Sequence, residues 1–177
     1  MLIVLLVNCS SVLMQQNLDG SDFFNRSWAE FKVGFGDPSG NYWLGNQLLS
    51  RLTANNGYKL RFDLQSRKTS NWYYAEYSTF IVLTDADNYK LQVAGYSGNT
   101  GDNAFGSFHH NGMMFSTYDR DNDRWPRNCA VWTGGGFWYY ACAACSVNSA
   151  RSSGYFSWSG LPGGHALQSS RMWLQCK

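Results

Sequence analysis

The stretch Asp119-Arg120-Asp121-Asn122-Asp123-Arg124-Trp125-Pro126-Arg127-Asn128 puts three carboxylates at alternate positions. Carboxylates so spaced converge on one hard cation, and Ca²⁺ takes about six to eight oxygens from carboxylates, carbonyls and water. The run is not the loop of a helix-loop-helix calcium site: Arg124 stands where that loop needs Gly, and no bidentate Glu closes it. A solvated Asp/Asn turn accounts for the same residues without a metal. Arg120, Arg124 and Arg127 also reduce the local negative charge, which points to weak affinity.

Directly after it, Cys129 and Cys142 enclose Trp132-Thr133-Gly134-Gly135-Gly136-Phe137-Trp138-Tyr139-Tyr140. A cystine closing so short a loop would stabilise by roughly 3 kcal/mol. A clamped, Gly-rich aromatic hairpin suits a platform for a sugar or an acetyl group; the plain alternative is hydrophobic core, the commoner fate of such a run. Chemistry of the enzymatic kind is poorly provided for. No Gly-x-Ser-x-Gly, phosphate loop or paired-His zinc helix occurs. His109 and His110 are adjacent, so in a strand they face opposite ways and cannot chelate one metal. The chain is not expected to be an enzyme.

The elements that must hold these residues are short. Ser27 followed by Glu30 is a capping box opening a helix that Gly34 and Gly36 end. Leu44, Leu48, Leu49 and Leu52 form one face of a second helix. From Tyr58 the period changes to two, with Tyr58, Leu60, Phe62 and Leu64 alternating with Lys59, Arg61 and Asp63. Strands over 73–83 and 89–93, joined by a turn at Asp85-Ala86-Asp87-Asn88, complete an antiparallel meander. Beyond Gly95 turn residues dominate and the C-terminal third reads as irregular. The fold class is α+β.

The chain has 177 residues, 14 basic against 12 acidic, a net charge of +2. That bias is too weak to argue for nucleic acid or an acidic membrane. Eight Trp, eleven Tyr and eleven Phe exclude disorder. The apolar run at residues 2–7 is too short to span a bilayer and lacks the basic start of a signal peptide. Five cysteines fit no zinc spacing and suggest one or two structural cystines. The sequons Asn8-Cys9-Ser10 and Asn25-Arg26-Ser27 agree with secretion.

Several motifs in order resemble the fibrinogen C-terminal domain family: Ser27-Trp28-Ala29-Glu30-Phe31-Lys32-Val33-Gly34-Phe35-Gly36, Gly40-Asn41-Tyr42-Trp43-Leu44-Gly45-Asn46, Tyr74-Ala75-Glu76-Tyr77, and His110-Asn111-Gly112-Met113-Met114-Phe115-Ser116-Thr117 running on to Asn128-Cys129-Ala130. The resemblance implies a globe with a central twisted antiparallel sheet, short helices and a loop-rich C-terminal lobe. It divides the chain into an atypical leader (1–11) and one domain (12–177), with a central-sheet part (12–95) and a calcium and ligand-binding part (96–177). The family's first cystine and its Gly-Gly-Gly-Trp strand are replaced by residues 1–11. Its calcium site maps onto the side chains of Asp121 and Asp123 and the carbonyls of Trp125 and Arg127, and its cystine onto Cys129–Cys142. A cis peptide maps onto Ala141–Cys142.

By the same resemblance, the backbone N–H groups of Cys142 and Ala143 would donate to an acetyl carbonyl beside Ala141. Tyr140 and Tyr155 would cover the methyl, because Ala143 replaces the family's usual His. A second cystine is expected between Cys145 and Cys176, leaving Cys9 odd; spacing alone also allows Cys142–Cys145. The implied protein is a secreted, calcium-dependent lectin of innate immunity for N-acetylated sugars on microbial surface polysaccharide. The alternative is a signalling or adhesion ligand of the angiopoietin-like type that docks a protein receptor. Neither needs nucleic acid or a membrane span, and oligomerisation would rest on regions outside this chain.

Overall fold

The computed structural model describes residues 11–102, 105, 110–142 and 144–177. One seven-stranded antiparallel sheet organises them. Its strands are β1 (Val12–Asn17), β2 (Phe35–Gly36), β3 (Tyr42–Trp43), β4 (Tyr58–Ser66), β5 (Trp72–Val82), β6 (Leu91–Gly98) and β9 (Leu167–Cys176), in the order β2-β3-β1-β9-β4-β5-β6. The short strands β7 (Cys145–Ser146) and β8 (Ser157–Trp158) pair separately. Three α-helices, α1 (Trp28–Val33), α2 (Asn46–Thr53) and α3 (Cys129–Thr133), with 3₁₀ turns at Asp22–Phe24, Asp85–Asp87 and Arg151–Ser153, complete the regular structure of the described residues.

The local signals act as their chemistry requires. At α1 the Glu30 carboxylate accepts the Ser27 N–H at 2.9 Å while the Glu30 N–H donates to Ser27 Oγ, so both ends of the first turn are satisfied. The hydrogen bonds from the Ser27 N–H and hydroxyl hold the Glu30 carboxyl below its ordinary value. In β4 the alternation predicted from Tyr58 buries Leu60, Phe62 and Leu64. The opposite face carries Lys59 and Arg61 paired to Glu76, with Arg61 also reaching Asp63 at 2.8 Å. The meander β4-β5-β6 is present, and the Asp85–Asp87 turn between its last two strands is a single 3₁₀ turn.

Two expectations need correction. The C-terminal third is not irregular to its end: β9 is the fourth strand of seven, paired with β1 from Val12↔Leu174 and with β4 from Tyr58↔Cys176 to Ser66↔Leu167. Residues 167–176 therefore belong to the central sheet rather than to the calcium and ligand part. The aromatic run is not a hairpin either. Asn128 caps α3 by accepting from the N–H groups of Ala130 and Val131, and Gly134 ends that helix in the left-handed region at φ 76°. Phe137, Trp138 and Tyr139 are then wholly buried, as plain core. A Cβ on Gly135 would come 2.1 Å from the Asn148 carbonyl oxygen, so only glycine lets these two segments meet.

A cluster of rings joins sheet and lobe: Phe31, Trp43, Phe115 and Trp138 lie at centroid separations of 5.0–6.1 Å. The indole N–H of Trp138 donates to Tyr89 O at 2.7 Å, and that of Trp43 to Asn46 Oδ1 at 3.1 Å. Both are thereby satisfied in the core. If β9 is central, Met172→Ala, at a fully buried position, should lower the unfolding free energy by about 2–5 kcal/mol. Chemical denaturation measures this. A loss no larger than that of a surface substitution would contradict the strand order.

Candidate functional site

The Asp/Asn run divides its polar side chains between two tasks. Asp119 is structural: its Oδ1 accepts the Trp28 N–H at 2.8 Å and the Thr117 hydroxyl at 2.7 Å, docking the loop on α1. Asn122 donates to Phe115 O at 2.7 Å, and Asn128 to Thr117 O at 2.9 Å while it caps α3. These three groups shape the loop and are used up by it. Asp121 and Asp123 are left pointing elsewhere.

Asp123 is half-buried, and both its oxygens are held: Oδ1 by the Trp125 N–H and Oδ2 by the Cys129 N–H, each at 2.8 Å. Asp121 is exposed and accepts the Asp123 N–H at 3.2 Å. Burial, with the Asp121 carboxylate beside it, pushes the Asp123 carboxyl up despite the two backbone N–H groups that favour its charge. Among the described residues neither carboxylate has an ion-pair partner. The nearby arginines are turned away: Arg120 lies 4.1 Å over the Trp28 ring, Arg124 5.7 Å over Tyr140 and Arg127 6.0 Å over Trp125.

This arrangement fits a hard cation. Two adjoining carboxylates lack a counter-charge, and the carbonyls of Trp125 and Arg127 accept no hydrogen bond among the described residues. No group of three or more His, Cys, Asp or Glu side chains suited to a metal occurs among them. Carbonyl oxygens and water would therefore have to complete the shell, as they do for Ca²⁺.

The same loop braces a second feature. Cys129 and Cys142 are disulfide-bonded, and the Ala141–Cys142 peptide is cis. The Arg124 N–H donates to Tyr140 O at 2.7 Å, so loop and aromatic run are tied on both sides. Beside this junction lies a cavity of about 290 Å³ lined by Trp125, Trp132, Ala141, Cys142 and Tyr155. Its three rings meet edge to face, Trp125 to Trp132 at 5.6 Å and Trp132 to Tyr155 at 6.3 Å. The Cys142 N–H has no acceptor among the described residues. The cavity thus offers apolar walls beside a backbone N–H that has no acceptor among the described residues.

Of the residues expected to form a ligand site, Ala141, Cys142 and Tyr155 come together. Tyr140 does not line the cavity: Tyr139 before it is buried in the core, so Tyr140 projects outward under Arg124. Ala143 lies outside the described residues, as do Cys9 and His109. Trp132 and the Trp125 ring supply the walls that Tyr140 was expected to give. Their signal was a helix pattern, Asn128 as cap and Gly134 as terminator, that places Trp132 on an exposed last turn.

The second cystine is also corrected. Cys145 is a free, buried thiol 3.5 Å from His110 Nε2, raised well above its ordinary value by burial. Cys176 is disulfide-bonded, and not to Cys145. The His110–Cys145 pair is fully buried. Its ring Nδ1 is 2.6 Å from the Trp138 carbonyl, a structural contact in the core.

The seven-stranded sheet thus bears a loop-built lobe with an aromatic cavity. No described helix is long and apolar enough to cross a membrane. A family model for the C-terminal globular domain of fibrinogen beta and gamma chains matches residues 7–172, and the chain belongs to that family. It is similar to bovine (Bos taurus) fibrinogen-like protein 1, with 39% identity over 147 residues, covering 77% of this chain and 47% of that protein. The chain thus spans about half the length of that curated relative. The fibrinogen-like globe domain of human ANGPTL2 superposes with a TM-score of 0.84 at 34% identity, over 95% of this chain and 84% of that one. Lamprey fibrin D-dimer, solved with the peptide ligand Gly-His-Arg-Pro-amide, gives a TM-score of 0.83 at 29% identity, over 95% and 62%. Like its relatives this is a secreted, extracellular, non-enzymatic chain, the setting in which cystines persist.

The division of labour in the loop has a measurable consequence. In chelator, Asp119→Ala should cost about 1–3 kcal/mol, because the Trp28 N–H and Thr117 hydroxyl lose their acceptor. The exposed Asp121→Ala should stay within about 0.5 kcal/mol of wild type. Denaturant melts of both variants check the order; equal losses would contradict it.

Proposed function

We propose that this chain is a calcium-dependent recognition module that docks a segment of a partner protein at the cavity between Trp125, Trp132 and Tyr155. The observation that carries the reading is the cavity itself: three rings and the open Cys142 N–H, braced by the disulfide and by Asp123. That the similar lamprey fibrin D-dimer is complexed with a peptide ligand supports the protein-recognition side. The cavity lining here holds no carboxylate, and Arg124 and Arg127 stand over neighbouring rings. Such a rim favours an apolar segment with acidic flanks over a cationic peptide. In this role Ca²⁺, held by Asp121, Asp123 and the carbonyls of Trp125 and Arg127, would fix the loop from which Trp125 projects.

The lectin reading keeps one observation in its favour. The Cys142 N–H beside apolar walls suits an acetyl group, carbonyl to donor and methyl to ring, so N-acetylated sugars on a microbial surface are the second candidate ligand. Peptides selected from a displayed library on the calcium-loaded protein, alongside a glycan array with and without chelator, separate the two. Enrichment of apolar peptides with acidic flanks, lost in Trp132→Ala, is expected. Chelator-sensitive glycan binding with no peptide enrichment would put the lectin ahead.

Calcium binding to the native state alone should raise the melting temperature by mass action, equivalent to about 2.7 kcal/mol at a hundredfold excess over Kd. Folding raises the Asp123 pKa, so the calcium-free globe loses stability as pH rises through that value, and a bound cation offsets the loss. The calcium-induced shift is therefore expected to grow between about pH 4 and about pH 7, as the carboxylates ionise. Coincident melts in calcium and chelator at pH 7, or a full shift retained in Asp121→Ala, would overturn the assignment.

A further inference from the structure

Asn25 begins the sequon Asn25-Arg26-Ser27 in a chain that is extracellular. Its position in the fold suits modification. It follows the 3₁₀ turn Asp22–Phe24, its N–H closes that turn on Asp22 O at 3.1 Å, and its side chain is exposed and makes no hydrogen bond among the described residues. The neighbours carry the structural load instead: Phe24 is wholly buried, Arg26 pairs with Glu30 at 3.0 Å, and Ser27 caps α1. A group attached to Asn25 Nδ2 therefore displaces nothing.

The surface beside Asn25 is unusual for a solvent-facing one. Asn25, Tyr118 and Val131 line a hollow of about 460 Å³, in which Tyr118 is 46% and Val131 63% exposed. Val131 and Trp132 are consecutive on α3, about 100° apart around the helix. One therefore faces this hollow and the other the candidate ligand cavity. Uncovered apolar side chains on this flank would compete with the cavity for partners and promote self-association.

We propose that Asn25 carries an N-linked glycan whose first sugars lie over Tyr118 and Val131. In the attachment, Asn25 Nδ2 forms a bond to the anomeric carbon of a lipid-linked oligosaccharyl diphosphate. The bond from that carbon to the diphosphate oxygen breaks, the diphosphate leaves with the electron pair, and Nδ2 releases one proton. Sugar rings present apolar C–H faces to Tyr118 and hydroxyls to water. The glycan thus covers this flank of α3 and leaves Trp132 open on the other.

The test is expression of the full chain in a secreting eukaryotic line as Asn8→Gln, which removes the other sequon, and as Asn8→Gln/Asn25→Gln. Asn8→Gln should carry a glycosidase-sensitive mass increment that the double variant lacks. Glycopeptide mapping of the wild type should place a glycan on Asn25 whether or not the variants are secreted. Wild type secreted with Asn25 bare would overturn the proposal. Hydroxyl-radical footprinting before and after enzymatic deglycosylation reads the cover. Tyr118 oxidation should rise several-fold while that of Trp132 stays level. Unchanged Tyr118 oxidation would overturn the placement of the sugars over this flank.

Discussion

Among the described residues between β6 and β9, regular structure comprises α3, the short pair β7 and β8 and a 3₁₀ turn at Arg151–Ser153, so many backbone N–H and C=O groups there find their partners outside helices and strands. Buried groups must be paired; loop backbone supplies much of the pairing, and amide side chains of β1 supply the part that reaches across from the sheet. Gln15 Nε2 donates to Val147 O at 3.0 Å and to Asn148 Oδ1 at 3.1 Å, and Asn17 Nδ2 reaches Val147 O at 3.0 Å. Asn148 passes the chain of bonds on, donating to Gly136 O at 2.9 Å. All of these residues are fully buried or nearly so. The lobe is attached to the sheet by a polar strut inside an aromatic core, and the position of the ligand cavity depends on it. Val147 O keeps a second donor if either Gln15 or Asn17 is lost, whereas loss of the Asn148 amide would leave the buried Gly136 carbonyl unpaired, which costs more than a made hydrogen bond contributes.

From that strut the site is assembled by short-range constraints. Gly135 and Gly136 let the aromatic run pass against Asn148 and Phe31. Tyr139 Oη anchors the run's far end by donating to Gly135 O at 2.6 Å. The disulfide and the Asp123 carboxylate then converge on Cys129, one through Sγ and the other through N–H. Through Cys129 the Asp123 carboxylate is thus tied to Cys142, which lines the candidate cavity.

Much of this was legible because the signals are local. The capping box at Ser27 and Glu30 needs only four residues, and the alternation of Tyr58 to Leu64 only seven. The two carboxylates and the Cys129–Cys142 pair stand close in sequence and were read through family resemblance. What was not legible is what distance decides. β9 pairs with β1 more than a hundred and fifty positions away, and its alternation is broken by Ser169 and Ser170, both buried. Ser170 is buried because Gln15 donates to its hydroxyl, a partner no window around it contains. Trp132 was misplaced because three glycines outweighed the quieter Asn128 cap.

The place of β9 in the middle of the sheet also fixes when the protein is able to fold. As synthesis proceeds, β4, β5 and β6 form a meander whose β4 edge awaits a partner, and β2, β3 and β1 form a second half-sheet whose β1 edge does. Neither edge finds its partner until the segment up to Cys176 has emerged from the ribosome. For most of translation the nascent chain exposes two unpaired edges flanked by apolar faces, a state prone to wrong pairing. The final strand acts as a latch between two half-sheets, and its closure makes folding a step that follows synthesis of the domain.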